Sequence, residues 1–154
     1  MTDDSTIGTV DGPPRAVLVM FADSHCFGVF ADEIEAVADW RTPTPLPAAP
    51  PGVLGVVCIR GRMYTVLAAS ALLGGTPAGN RKIVALRGDD QIALAIEQAG
   101  EMINIAPADL QASDARDSAI IGVIAAGDRS ISVLDPKRLF AIAMRGRERR
   151  RRHF

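Results

Sequence analysis

Two cysteines, one tryptophan, one tyrosine and two histidines in 154 residues leave little material for redox, metal or stacking chemistry. Cys26 and Cys58 both sit inside apolar, strand-like runs, where a thiol reads as a small buried hydrophobe and not as half of a disulfide. That usage fits a reducing cytoplasm. No apolar run approaches the ~20 residues that span a bilayer, and the chain opens on the acidic Met1-Thr2-Asp3-Asp4, so neither a signal peptide nor a membrane anchor is expected. The sequence has no His/Cys/Asp/Glu cluster at metal-ligand spacing, no G-x-S-x-G and no phosphate loop. Asp89-Asp90 is the nearest thing to a carboxylate pair, but it adjoins Gly88 in a turn, where such groups are solvated. His25 falls in a polar connection and has no triad partner in His153. Catalytic residues, metal ligands, cofactors and a small-molecule substrate are therefore all expected to be absent.

Val, Ile, Leu and Ala carry the apolar content, and at this length they can build one domain without a staple. The clearest unit is Val53 to Ile59 and Met63 to Leu67, two β-branched runs separated by Arg60-Gly61-Arg62, which reads as a hairpin. Gly55 interrupts the first run, a sign of a bulge or of another backbone passing close by. Upstream, Ala16 to Phe21 and Cys26 to Phe30 form an antiparallel pair, Asp32 caps a helical turn through Glu35, and Ala36 to Trp40 is extended. Five prolines then fall between Pro43 and Pro51, which makes that segment a fixed loop.

Downstream, Ser70 to Gly75 reads as one capped helical turn, and Thr76 to Asn80 as the crossing between two halves of the fold. Lys82 to Leu86 with Ile92 to Ile96, a strand over Glu101 to Ala106, and Ile120 to Ala125 with Ile131 to Leu134 complete a second strand set. Gln111 to Ser118 is polar and expected to be mobile. Asp135-Pro136 is a helix start, with Leu139 and Ala143, and Phe140 and Met144, paired at i,i+4. Eight to ten short strands with turns every ~8–12 residues predict an all-β fold, two small barrels sharing a core.

Charge is unevenly placed. Residues 145–154 hold six arginines against Glu148, a net of +5, and subtracting that from the chain's −1 leaves −6 for residues 1–144. The basic tail is read as a solvated extension of the last helix, with an acidic protein, nucleic acid or an anionic surface as its possible partners. Residues 1–14 are too polar to fold and read as a disordered leader.

The order of proline loop, Gly55, apolar run, Arg60-Gly61 and second apolar run resembles the signature of CheW-like adaptor domains of bacterial chemotaxis. The likeness extends over roughly Arg15 to Met144. Phe27-Gly28-Val29 with Ile34 resembles the family's opening hairpin and its valine- or isoleucine-bearing turn, and Ile92 to Ala99 resembles a later strand. Gly122-Val123, Leu134-Asp135 and Leu139 resemble its closing strands and helix. The chain departs from the family where Ala36 replaces glutamate, where Thr65, Ala68 and Ala69 replace proline, aspartate and leucine, and where Ala93 and Glu97 replace glycine and aspartate.

The resemblance implies two five-stranded SH3-like β-barrel subdomains sharing a core, plus a short C-terminal helix. It implies a single domain over residues 15–144, with the crossing near 74–80. It also implies a non-enzymatic cytoplasmic scaffold that couples a chemotaxis histidine kinase to the cytoplasmic tip of methyl-accepting chemoreceptors, reaching the membrane only through them. Ile34, Gly55 and Arg60 are the partner-binding positions it carries over. An adaptor of type IV pilus motility is the neighbouring alternative. A small nucleic-acid-binding barrel with an arginine-rich tail is the alternative of another class, and the acidic body and scarce aromatics speak against it.

Overall fold

The structure is a computed structural model that describes residues 13–22, 25–50, 52–69, 79–112 and 119–142. Eleven strands lie within them: β1 (Arg15–Ala22), β2 (His25–Phe30), β3 (Ile34–Asp39), β4 (Val53–Ile59), β5 (Arg62–Ala68), β6 (Lys82–Leu86), β7 (Ile92–Ile96), β8 (Gln98–Ile105), β9 (Leu110–Ala112), β10 (Ile120–Ala126) and β11 (Arg129–Leu134). Helix α1 covers 136–142. The leader, the turn over 70–75 and the basic tail lie outside the described residues.

The strands form two sheets, β8-β1-β2-β11-β10-β9 and β3-β6-β7-β5-β4. The two-part β architecture is as expected, but one sheet has six strands where five were expected. The extra one is β9, whose three residues are too few to show a period. It overlaps the stretch read as mobile, since Gln111 and Ala112 pair with Val123 and Gly122. Gly122 makes this approach possible, because a Cβ there would lie 2.7 Å from Leu110 Cδ1 and 2.8 Å from the Gln111 carbonyl oxygen.

The crossing is also corrected. The second sheet draws strands from both sides of residues 74–80, so these residues do not divide the halves. The chain enters that sheet through a 3-10 turn at Ala31–Glu33 and leaves it between Ile96 and Gln98. The first sheet is built from both ends of the domain, and its two parts are joined by the parallel pairing of β11 with β2. Parallel pairs join segments distant in sequence and leave no turn signal between them.

Three apolar clusters hold this arrangement. β6 and β7 are buried on both faces, and their residues alternate between two of the clusters. Ile83, Ala85, Ala93 and Ala95 point into the second sheet's own core, beside Ala36 of β3 and Val57 and Ile59 of β4. β3 and β4 are the two edges of that sheet, ~19 Å apart if it were flat, so one cluster containing both requires a curled sheet. Val84, Leu86, Ile92, Leu94 and Ile96 face the other way and meet Met20, Phe27 and Val29 of the first sheet and Leu139 of α1. On β6 and β7 alanine supplies three of the four residues that face the second sheet's interior, and larger side chains face the shared core. The first sheet has its own interior cluster, with Val17, Val19, Ile131 and Val133 at its centre.

Local signals account for the ends of elements. Asp135 accepts a hydrogen bond from the Lys137 N–H at 3.0 Å, and Pro136 opens α1. Asp135→Ala is therefore expected to cost about 1 kcal/mol, read as a lower thermal midpoint. Asp32 does not cap its turn; both its oxygens accept from Arg15 Nη2, at 2.9 and 3.1 Å. His25 lies within β2, opposite Ala22, and not in a turn. Cys58 is exposed, contrary to the buried role expected for it, while Cys26 is half-buried. With Val57 and Ile59 both inward, the period of two turns Cys58 outward.

Candidate partner-binding site

The β4–β5 connection is a two-residue turn. Ile59 pairs with Arg62, leaving Arg60 and Gly61 at the tip with φ of 52° and 80°. Positive φ at both positions is what the right-handed twist of a tight hairpin selects, and it normally selects Asn or Gly at the first. An arginine there costs backbone energy that asparagine or glycine would avoid, and strain of this kind accompanies function. Arg60 and Arg62 are both exposed, and among the described residues neither has an ion-pair partner. Directly behind them Cys58 and Met63 face each other across the strands, also exposed, with Met63 at 52%. Arg41 Nη1 donates to the Cys58 carbonyl at 2.6 Å, which brings a third guanidinium to this end of the sheet. The hairpin end is thus a cationic tip on an apolar base. Sequence reading found Arg60 but missed Cys58 of β4 and its cross-strand partner Met63 of β5, whose exposure was legible only in the alternation of the two strands.

Gly55 lies in the same edge strand and is buried. The pairing of β4 with β5 shifts register between Val53 and Gly55, a bulge, and Gly55 has a φ of 142°. The Thr44 backbone passes so close that a Cβ would collide with its carbonyl oxygen and lie 2.6 Å from its carbonyl carbon. Thr44 and Val56 exchange two backbone hydrogen bonds of 2.9 Å, so the proline loop is stitched to β4 at this point. Gly55 acts through the backbone and fixes where the proline loop lies.

Ile34 begins β3, on the opposite edge of the sheet from Gly55 and Arg60. The three positions do not form one constellation. Ile34 is half-buried against the shared core, and its pairing partner Leu86 and its neighbour Glu33 line a polar groove of about 290 Å³ that also takes in Arg87, Asp89 and Lys137. Arg87, unnoticed in the sequence, organises this edge. Its N–H donates to the Glu33 carbonyl at 2.8 Å and its Nε to the Ile34 carbonyl at 3.1 Å.

Burial raises the Glu33 carboxyl above its ordinary value of 4.5, and the charges of Asp135 and Asp32 add to the rise while Arg15 and Lys137 oppose it. A carboxyl with a raised folded-state pKa binds its proton more tightly when folded. It therefore costs no stability below about pH 4.5, and its cost appears as pH rises through the folded value. Glu33→Gln is expected to raise the thermal midpoint at pH 7 and to leave it unchanged near pH 4. A loss of stability at pH 7 would mean that the charge is held by partners and not strained by burial.

Phe27, Phe30 and Tyr64 are buried, and Phe21, Trp40 and Phe140 are partly so; no described aromatic is free to stack on a base. Ala68 and Ala69 are fully buried, so the positions where the family has aspartate and leucine are core positions here.

Residues 15–144 match the family described as CheW-like domain. The chain belongs to the CheW-like domain family. Among individual relatives, it is 27% identical over 124 residues to the chemotaxis protein CheW of Rhizobium meliloti (strain 1021), covering 75% of this chain and 79% of the relative. Among solved structures, it is similar to the scaffolding protein TtCheW from Thermoanaerobacter tengcongensis, with a TM-score of 0.75 and 19% identity over 83% of this chain and 93% of the other. That likeness is one of fold: two β-rich subdomains and a short helix.

Proposed function

We propose that this CheW-like chain is a non-enzymatic adaptor of chemotaxis signalling, joining a histidine kinase to the cytoplasmic tip of chemoreceptors. Family membership over residues 15–144 is the observation that carries the reading. The surface chemistry agrees with it. The β4–β5 tip offers arginines whose planar, multi-donor heads suit carboxylates, and Met63 and Cys58 supply apolar area beside them. An acidic, partly apolar helix is the partner such a surface fits. Partner-binding roles go to Arg60 directly and to Ile34 and Gly55 through the edges they shape. Residues 15–144 act as a single domain, and the adaptor works in the cytoplasm; among the described residues no helix is long and apolar enough to cross a membrane.

Arg60→Glu tests this. The residue projects from a turn and holds no contact in the core, so circular dichroism and melting should match the parent. Binding to a receptor cytoplasmic fragment should weaken by ~1–3 kcal/mol, from the loss of a charge-assisted bond and the gain of a repulsion. Kinase binding should change much less. Unchanged receptor affinity would remove Arg60 from the interface, and an unfolded variant would make it structural.

A further inference from the structure

An open sheet edge recruits further strands, and β4 is an edge of the second sheet. Its outward backbone groups are nevertheless taken. The Val56 N–H donates to the Thr44 carbonyl and the Thr44 N–H to the Val56 carbonyl, each at 2.9 Å, in an antiparallel bridge. Cys58, two residues further on, presents its backbone to the same side, and its carbonyl accepts from Arg41 Nη1 at 2.6 Å. The segment that supplies these partners comes straight from the opposite edge. β3 ends at Asp39, the Trp40 N–H donates to the Arg81 carbonyl at 3.0 Å, and the chain then crosses to β4.

The rim that this segment turns away from β4 is closed by different means. Successive N–H groups of an extended chain point to opposite sides, so with the Thr44 N–H directed at β4, those of residues 43 and 45 would point away from it. Both residues are proline, which has no N–H. Pro45 is exposed and offers no donor to an approaching strand. Pro43 is buried, its Cβ 3.1 Å from where a Cβ on Gly55 would stand, and it leaves no N–H to be satisfied there. The same two prolines bias Thr42 and Thr44 towards extended backbone, the conformation that the bridge to Val56 needs.

We propose that residues 41–45 are a capping strand, which reserves the outer edge of β4 for this chain and closes it to strand addition by a second copy. Thr44 and Arg41 occupy the edge itself, and Pro43 and Pro45 keep the added rim from becoming a new one. This end of the sheet then meets any partner through the side chains of the β4–β5 tip and not through backbone pairing.

Amide exchange and sedimentation of the full chain test this together. In the parent the Thr44 and Val56 amides should both be protected. In Thr44→Pro combined with Arg41→Ala, Val56 should exchange about tenfold faster or more in dilute solution. Its protection should return as concentration rises, together with a sedimenting mass above the parent's at the same concentration, as a second copy pairs with the freed edge. The proposal is overturned if Thr44 or Val56 exchanges freely in the parent, or if Val56 keeps its protection in the dilute variant, because the segment then does not cover the edge. It is also overturned if Val56 stays unprotected at every concentration and the mass stays parental, because the open edge then takes no second copy. Pro45→Thr decides the matter if the first variant fails to fold, since it restores an N–H on the rim and leaves the bridge intact. The restored amide should exchange as an unprotected one while Thr44 remains protected; protection at position 45 in dilute solution would overturn the proposal, because that group would then point into the protein.

Discussion

Gly55→Ala is expected to lower the stability of the domain by about 3 kcal/mol, a large effect for the addition of one methyl group. Two causes act together. A φ of 142° is a conformation that L side chains rarely adopt, and restoring an ordinary one would straighten the bulge that lets β4 pair with β5. The new Cβ would also meet the Thr44 backbone, and relieving that collision means breaking the two hydrogen bonds between Thr44 and Val56, worth ~0.5–1.5 kcal/mol each. In a chain of this length the loss corresponds to a fall of roughly 6–12 °C in thermal midpoint. The proline loop should loosen first, seen as faster amide exchange at Thr44 and Val56. A Gly55→Ala variant that melted with the parent would show that the loop does not pack as described. Any loss of partner binding in this variant follows from the displaced loop, because Gly55 itself is buried.

Leu94→Ala should be comparably damaging, at about 2–5 kcal/mol, and its effect should spread across the whole domain. Leu94 sits at the centre of β7, fully buried, and its side chain joins the cluster contributed by both sheets and α1. If the halves are one cooperative unit, amides of β1 and β2 should lose protection as much as those of β6 and β7, although the substitution lies in the second sheet. Loss confined to β3–β7 would mean two separately stable halves. Ala95, the next residue, makes the contrast plain: it faces the second sheet's interior and belongs to that sheet's own cluster.

The hairpins were legible in the sequence because each announces itself locally. Arg60-Gly61 and Gly127-Asp128 sit between β-branched runs and close two-residue turns, and Asp135-Pro136 starts a helix by capping chemistry alone. Gly55 was legible for a related reason: a glycine in a strand has no packing to offer, so geometry is its only role. Which hairpin joins which sheet was not legible. The parallel pairs β2–β11 and β5–β7 depend on the shared core, where Leu67 and Leu94 or Phe27 and Leu134 meet only after the chain has returned from far away. Of the site, Arg60 could be found from its turn and from family resemblance, whereas the role of Arg87 could not. Its two hydrogen bonds go to the backbone carbonyls of Glu33 and Ile34, and those carbonyls leave no mark in a sequence. Cys58 shows the converse case, since an apolar run suggested burial and strand alternation imposed exposure.

Coupling itself is the property to measure. A histidine kinase and a soluble chemoreceptor cytoplasmic fragment from the same organism, sedimented together with and without this chain, should associate into a three-component complex only when it is present. Receptor control of kinase autophosphorylation should appear with the complex, and Arg60→Glu should weaken both together. Equal association and equal control without the chain would contradict the adaptor account.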